Sequence, residues 1–70
     1  MVEEVFATRL KELRAEKGLT QNELAQQVGL TQRKISKLEK LQLIPSPSVV
    51  VDIAKFFDVS TDYLLGLIDI

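Results

Sequence analysis

Apolar residues recur at helical spacing in five stretches of the 70-residue chain, and polar residues that begin or end helices separate these stretches. The first stretch has Phe6, Leu10 and Leu13 at intervals of four and three residues, while Arg9 beside them is expected to face water. The whole pattern predicts an all-α fold without a sheet, with helices over residues 2–17, 21–28, 32–40, 47–57 and 61–65.

The centre of the chain, residues 21–40, reads as two short helices joined by a tight turn. Thr20 is suited to cap the first of these helices, and Glu23 three residues later completes a capping box. Gly29 lies where a helix ends in a left-handed residue, which glycine adopts without strain. Thr31 then caps the second helix. This stretch therefore predicts a helix-turn-helix.

The hydrophobic positions of the predicted helices define one small core. The residues expected inside are Phe6, Leu10, Leu13, Leu24, Ala25, Val28, Leu30, Ile35, Leu38, Val50, Ile53, Ala54, Phe57, Val59 and Leu64. A core made by residues from the whole chain indicates a single domain over residues 1–70.

The outer face of the second central helix carries long polar and cationic side chains, which are Gln32, Arg33, Ser36 and Lys37. Side chains of this kind form hydrogen bonds to base edges when a helix enters a DNA major groove. The alternative is that the basic residues there form an ordinary solvated helix face.

Charge is distributed unevenly, although the net charge is −1. Residues 20–40 hold four basic and two acidic groups, a balance of +2, while residues 41–70 hold one basic and four acidic groups, a balance of −3. Because DNA affinity depends on neutralising phosphates, the positive charge lies where a DNA-binding helix needs it.

Two segments resemble the phage-repressor family of helix-turn-helix domains, which includes the lambda repressor and Cro-like (XRE-type) proteins. They are LKELRAEKGLTQNELAQQVGLTQRKISKLE and PSPSVVVDIAKFFDVSTDYLLG, and the resemblance runs from Leu10 to Gly66. It implies a five-helix, lambda-repressor-like domain that binds double-stranded DNA and regulates transcription as a repressor does.

The resemblance also implies roles for individual residues. Gln21 would hold a phosphate and support Gln32, which would read adenine, and Arg14 would pair with Glu39. The expected base contacts are Gln32, Arg33, Ser36 and Lys37, and the expected backbone contacts are Thr20, Gln21, Lys34 and Lys40.

The loop after the second central helix departs from the family pattern, because relatives have a helix-ending glycine and further basic residues there. This chain instead has Leu41, Leu43 and Ile44, and its C-terminal end is also apolar. In relatives, the loop after the recognition helix and the last helix form a two-fold contact, and the resemblance therefore implies a homodimer. The expected interface residues are Leu41, Leu43, Ile44, Leu67, Ile68 and Ile70. An alternative function stays open: a self-associating protein-interaction module on the same fold, natural or engineered, with weak or no DNA binding.

Several classes of function lack the residues they need. Without cysteine or histidine the chain has no thiol nucleophile, no imidazole base and no thiolate or imidazole metal ligand, so we expect neither an enzyme nor a cofactor, metal or small-molecule substrate. No apolar run is long enough to span a membrane, and we do not expect the acidic N-terminal residues to act as a signal peptide. The expected location is the cytoplasm.

Overall fold

A computed structural model describes residues 2–69, which form five α-helices and contain no strand. The helices are α1 (Val2–Glu16), α2 (Gln21–Val28), α3 (Gln32–Glu39), α4 (Pro47–Phe57) and α5 (Thr61–Leu64). The predicted all-α class is therefore confirmed, and α1, α3 and α5 each end one residue earlier than predicted. Within residues 2–69, no helix combines the length and the hydropathy needed to cross a membrane.

Serine and threonine caps decide where four of the helices begin. The hydroxyl of each cap accepts a hydrogen bond from the backbone amide three residues later, and the pairs are Thr20 with Glu23, Thr31 with Lys34, Ser46 with Val49, and Ser60 with Tyr63. The predicted capping box at α2 is complete, because the Glu23 carboxylate also accepts a bond from the Thr20 amide at 2.8 Å. Gly29 takes φ +72°, so the turn between α2 and α3 forms as predicted.

All but four of the predicted core residues are buried, and Phe6, Leu10, Leu24, Ile35, Ile53 and Leu64 are buried completely. The four exceptions are only half-buried and pack at the edge of the core, namely Leu13, Val28, Leu30 and Val59. They lie in the last turn of a helix or in a connection, where fewer neighbours surround a side chain. The prediction missed Ala7, which is buried at 4% exposure.

Helix α3 ends without a glycine. Leu41 takes the left-handed conformation in its place, with φ +63°. The amide of Gln42 then donates to the carbonyl of Lys37 at 2.8 Å, which closes the helix end. A side chain in this region of backbone space costs about 1–2 kcal/mol relative to the right-handed form. The loop therefore keeps the backbone turn that glycine normally provides, and it carries the strain of a leucine.

Arg9 holds the C-terminal residues against α1, which corrects the expectation that its side chain faces water. Its guanidinium donates to the carbonyls of Tyr63 and Ile68, and it lies 4.2 Å from the centre of the Tyr63 ring. The side chain is consequently only 18% exposed. Gly66 also allows the C-terminal residues to lie close to α1, because a Cβ atom at its position would be only 2.8 Å from Val5 Cγ1.

Candidate nucleic-acid interface

Helix α3 has two chemically different faces. Ile35 and Leu38 on the inner face are 0% and 2% exposed and pack in the core against the other helices. The outer face presents the exposed side chains of Gln32, Arg33 and Lys34, with Ser36 and Lys37 half-buried beside them. Every predicted base-contact residue therefore lies outside the core, on a helix whose position the core fixes.

An ion pair joins α1 to α3. Arg14 Nε donates to Glu39 Oε2 at 2.7 Å, and Arg14 Nη2 donates to Glu39 Oε1 at 3.0 Å, so the contact is bidentate. The Glu39 side chain is only 2% exposed, and Arg14 also donates to the carbonyl of Leu19 at 2.9 Å. The hydrogen bonds to Glu39 raise the pKa of Arg14 above its ordinary value, which keeps the guanidinium charged. The two residues that the resemblance paired are thus brought together.

Two glutamines extend this ion pair to the outer face of α3. Gln21 Nε2 donates to Glu39 Oε1 at 3.0 Å, and Gln32 Nε2 donates to Gln21 Oε1 at 2.8 Å. We call Arg14, Glu39, Gln21 and Gln32 the polar network. It runs from a buried carboxylate to an exposed amide on the helix that is predicted to enter DNA.

The buried carboxylate sets the orientation of both amide groups. An ionised Glu39 only accepts hydrogen bonds, so Gln21 must turn its NH₂ group toward it and its carbonyl oxygen away. That oxygen then requires a donor, which the NH₂ group of Gln32 supplies. Gln32 keeps its Oε1 acceptor and a second N–H for other partners, and one acceptor beside one donor matches the major-groove edge of adenine.

The polar network also improves the electrostatics of α3. Because Glu39 turns inward and pairs with Arg14, its charge does not oppose the cations of the outer surface. Those cations are Arg33, Lys34 and Lys37, with Lys40 just past the helix end.

Among the described residues no cluster of three or more His, Cys, Asp or Glu side chains is arranged to hold a metal ion.

The remaining predicted site residues in the described part of the chain are exposed. Thr20 is exposed and its hydroxyl caps α2, while Lys40 is exposed at the C-cap position, directly after α3. The predicted dimer residues in the described part of the chain are all exposed, at 52% for Leu41, 39% for Leu43, 75% for Ile44, 65% for Leu67 and 42% for Ile68. Ile70, the sixth residue of that prediction, lies outside the described residues.

Sequence reasoning treated the ion pair and the glutamine pair as separate features, and the structure joins them through Glu39 Oε1. A signal was present in the sequence, because Gln21 begins α2, and α2 packs against α3, whose last residue is Glu39. The hydrogen bond from Arg14 to the Leu19 carbonyl had no such signal, since every residue has a backbone carbonyl and the residue type does not show which one is used.

Two short packed helices with a polar outer face on the second define a helix-turn-helix domain. A family model described as helix-turn-helix matches residues 10–64, and the chain belongs to this family. It is 34% identical over 65 residues to the uncharacterized HTH-type transcriptional regulator YobD of Bacillus subtilis. The aligned residues cover 93% of the chain and 58% of that relative. It is 36% identical over 58 residues to the HTH-type transcriptional regulator ImmR of the same organism, with 83% of the chain and 46% of the relative covered.

A solved structure gives the same fold. The P22 c2 repressor protein, in complex with a synthetic operator, has a TM-score of 0.81 and 27% identity, with 86% of this chain and 91% of that chain covered. The chain spans about half the length of the two Bacillus relatives, at 58% and 46%.

Proposed function

We propose that this chain is a sequence-specific DNA-binding domain that regulates transcription, with α3 in the major groove of double-stranded DNA. The observation that carries the proposal is the polar network, which holds the exposed Gln32 amide in a fixed orientation. An amide whose donor and acceptor are fixed loses little freedom when it pairs with adenine, so it discriminates between bases. The family membership and the operator complex of the P22 relative support the same function.

The other polar residues of this surface receive two kinds of role in the proposal. Arg33, Ser36 and Lys37 contact base edges beside Gln32, since they lie on the outer face of the same helix. Thr20, Gln21, Lys34 and Lys40 contact the sugar–phosphate backbone, which positions the domain without reading sequence. Gln21 retains one N–H for a phosphate after its bond to Glu39.

Selection of bound sites from random double-stranded DNA, at low and at moderate salt, tests this function. We expect an enriched sequence in which Gln32→Ala relaxes the preference at one base pair by about 1–3 kcal/mol. Lys34→Ala should weaken all sites alike and reduce the slope of log affinity against log salt by about 0.9. Gln27→Ala, an exposed glutamine of α2 outside the polar network, is the matched control and should change neither property. Equal affinity of the wild type for random and selected DNA would contradict the proposal.

We also propose that the domain acts as a homodimer through its exposed apolar residues. Ile44 is 75% exposed and Leu43 is 39% exposed, and burying them in a symmetric contact would remove this area from water. A two-fold arrangement also spaces two recognition helices for the two halves of an operator.

Sedimentation equilibrium at tens of micromolar protein tests the dimer. We expect the wild type to sediment as a dimer and Ile44→Asp to sediment as a monomer, while Gln27→Asp adds the same charge on another surface and leaves the mass unchanged. A wild-type monomer would contradict the dimer. A dimer that fails to retain selected DNA would favour the self-associating module instead of the regulator.

A further inference from the structure

One side chain of α1 holds the C-terminal tail, which we define as residues 66–69. The guanidinium of Arg9 donates one hydrogen bond to the carbonyl of Tyr63 in α5 and another to the carbonyl of Ile68 at 2.8 Å. It also lies 3.8 Å from a carboxylate oxygen of Asp69. Within residues 2–69, the hydrogen bond at position 68 and the ion pair at position 69 therefore share one donor group.

The tail is held in place although its apolar side chains are exposed. Leu67 is 65% exposed and Ile68 is 42% exposed, so much of their apolar surface remains in water. The backbone between them is fixed on both sides, because the Leu67 amide donates to the carbonyl of Asp62 at 2.9 Å and Arg9 binds the next carbonyl. The tail thus keeps two apolar side chains in a fixed arrangement that the monomer itself uses only in part.

The tail leaves α5 beside the residue on which the dimer proposal depends most. Leu65, the residue before the tail, lines the same surface depression as Ile44. Ile44 is 75% exposed, and its burial between two copies is the basis of the proposed contact. A two-fold contact that covers Ile44 therefore lies next to the tail, and the second copy brings the same apolar residues to it.

We infer that Arg9 is a positioning residue for the homodimer, and this inference rests on the dimer proposed above. By holding the backbone of the tail, Arg9 presents Leu67 and Ile68 to the second copy before the two copies meet. Fixing the backbone of one residue costs about as much free energy as a tenfold change in an equilibrium constant. A tail that had to be ordered during association would therefore weaken the dimer by about tenfold or more.

Replacing Arg9 by methionine tests the inference, because methionine keeps an apolar stem but has no donor. Sedimentation equilibrium should give a dimer dissociation constant about tenfold or more above that of the wild type. Lys11→Met removes the same charge from an exposed position of α1 and should stay within about twofold. In the monomeric Ile44→Asp protein, ¹⁵N relaxation should show that Arg9→Met makes the amides of residues 68 and 69 mobile, while the amides of α1 to α4 stay rigid.

A pair of substitutions in the tail separates positioning from a purely structural role. Leu67→Ala together with Ile68→Ala removes the side chains that Arg9 presents, and both positions are exposed, so the fold should survive. This tail variant should also weaken the dimer by about tenfold or more. In the tail variant, Arg9→Met should cause no further loss, whereas a structural role would weaken the dimer by the same factor in both backgrounds.

The outcomes separate this inference from the dimer itself. A wild-type monomer would overturn both. A wild-type dimer that the tail variant or Arg9→Met leaves unchanged, or that Arg9→Met weakens equally in both backgrounds, would overturn the positioning role and leave the dimer in place. Loss of the folded state in Arg9→Met would assign Arg9 a structural role and would likewise overturn the inference.

Discussion

Replacing Glu39 by glutamine tests the polar network with the smallest change of shape. The carboxylate accepts two hydrogen bonds from Arg14 and one from Gln21, and its side chain is 2% exposed. Glutamine fills the same space, but it loses the charge and places an NH₂ group against donors. The variant keeps one carbonyl oxygen at this position, so Arg14 and Gln21 compete for a single neutral acceptor, and the Arg14 guanidinium loses its counter-charge while keeping its bond to the Leu19 carbonyl.

The magnitude follows from burial. Breaking a buried ion pair by removing one partner destabilises a protein by about 3–5 kcal/mol, because the other charge remains uncompensated. Arg14 is 20% exposed and reaches some water, so the lower end, about 3 kcal/mol, applies here. A domain of this size has a free energy of unfolding of about 4–10 kcal/mol, and the melting temperature should fall by roughly 12–24 °C.

Urea unfolding followed by circular dichroism at pH 7 measures the effect. Glu12→Gln is the matched control, since Glu12 is exposed on α1 and the change should stay within about 0.5 kcal/mol. Arg14→Met and the double variant complete a double-mutant cycle with Glu39→Gln. The coupling energy between Arg14 and Glu39 should be about 1–3 kcal/mol. A Glu39→Gln protein as stable as the control, or additive effects of the two changes, would refute the reasoning.

The same variant makes a second prediction about DNA. Without the carboxylate, the Gln21 amide is no longer forced to point its oxygen at Gln32. At a temperature where the variant remains folded, the preference at the base read by Gln32 should weaken by about 1–3 kcal/mol, although Gln32 itself is unchanged. Site selection with the variant measures this loss, and an unchanged preference would show that the network does not orient the amide.

Three further changes test the backbone and the core by urea unfolding. Leu41→Gly should be more stable than Leu41→Ala by about 1–2 kcal/mol, the reverse of the usual order, because φ at this position is +63°; the usual order would contradict the left-handed helix end. Gly66→Ala should lose more stability than Gly18→Ala, since both glycines have positive φ but only at Gly66 would a Cβ atom meet Val5, and Val5→Ala should remove most of the difference. Ile35→Ala should cost about 2–5 kcal/mol, because this side chain is fully buried, and a loss below 1 kcal/mol would contradict its place in the core.

The helices and most of the core could be predicted because their signals are local. Each capping residue accepts a hydrogen bond from the backbone amide three residues later, so the signal for the start of a helix lies next to that start in the sequence. The capping residues are Thr20, Thr31, Ser46 and Ser60. Apolar spacing then assigns the inner face of each helix. The half-burial of Leu13 was not predicted, since burial at a helix end depends on which other elements pass nearby.

The features that escaped prediction are those that depend on distant partners. Arg9 looked like a solvated residue of α1, but it binds carbonyls 54 and 59 positions away in the chain. At Leu41 the sequence showed that the helix-ending glycine is missing, but it did not show that leucine would take the left-handed conformation in its place. The sequence alone does not tell whether a helix without glycine continues, frays or accepts strain, because that choice depends on how the following loop packs.

If Gln32 reads DNA as proposed, the polar network makes that recognition depend on Gln21 and Glu39 as well as on Gln32. A substitution at Gln32 that removes its NH₂ group leaves the Gln21 oxygen without its donor, and a substitution at Gln21 that removes its NH₂ group takes one of the two donors from Glu39 Oε1. New operator preferences in this domain should therefore arise through paired substitutions at positions 21 and 32. The effect of each member of such a pair will depend on whether the other is already present, which narrows the mutational routes from one binding specificity to the next.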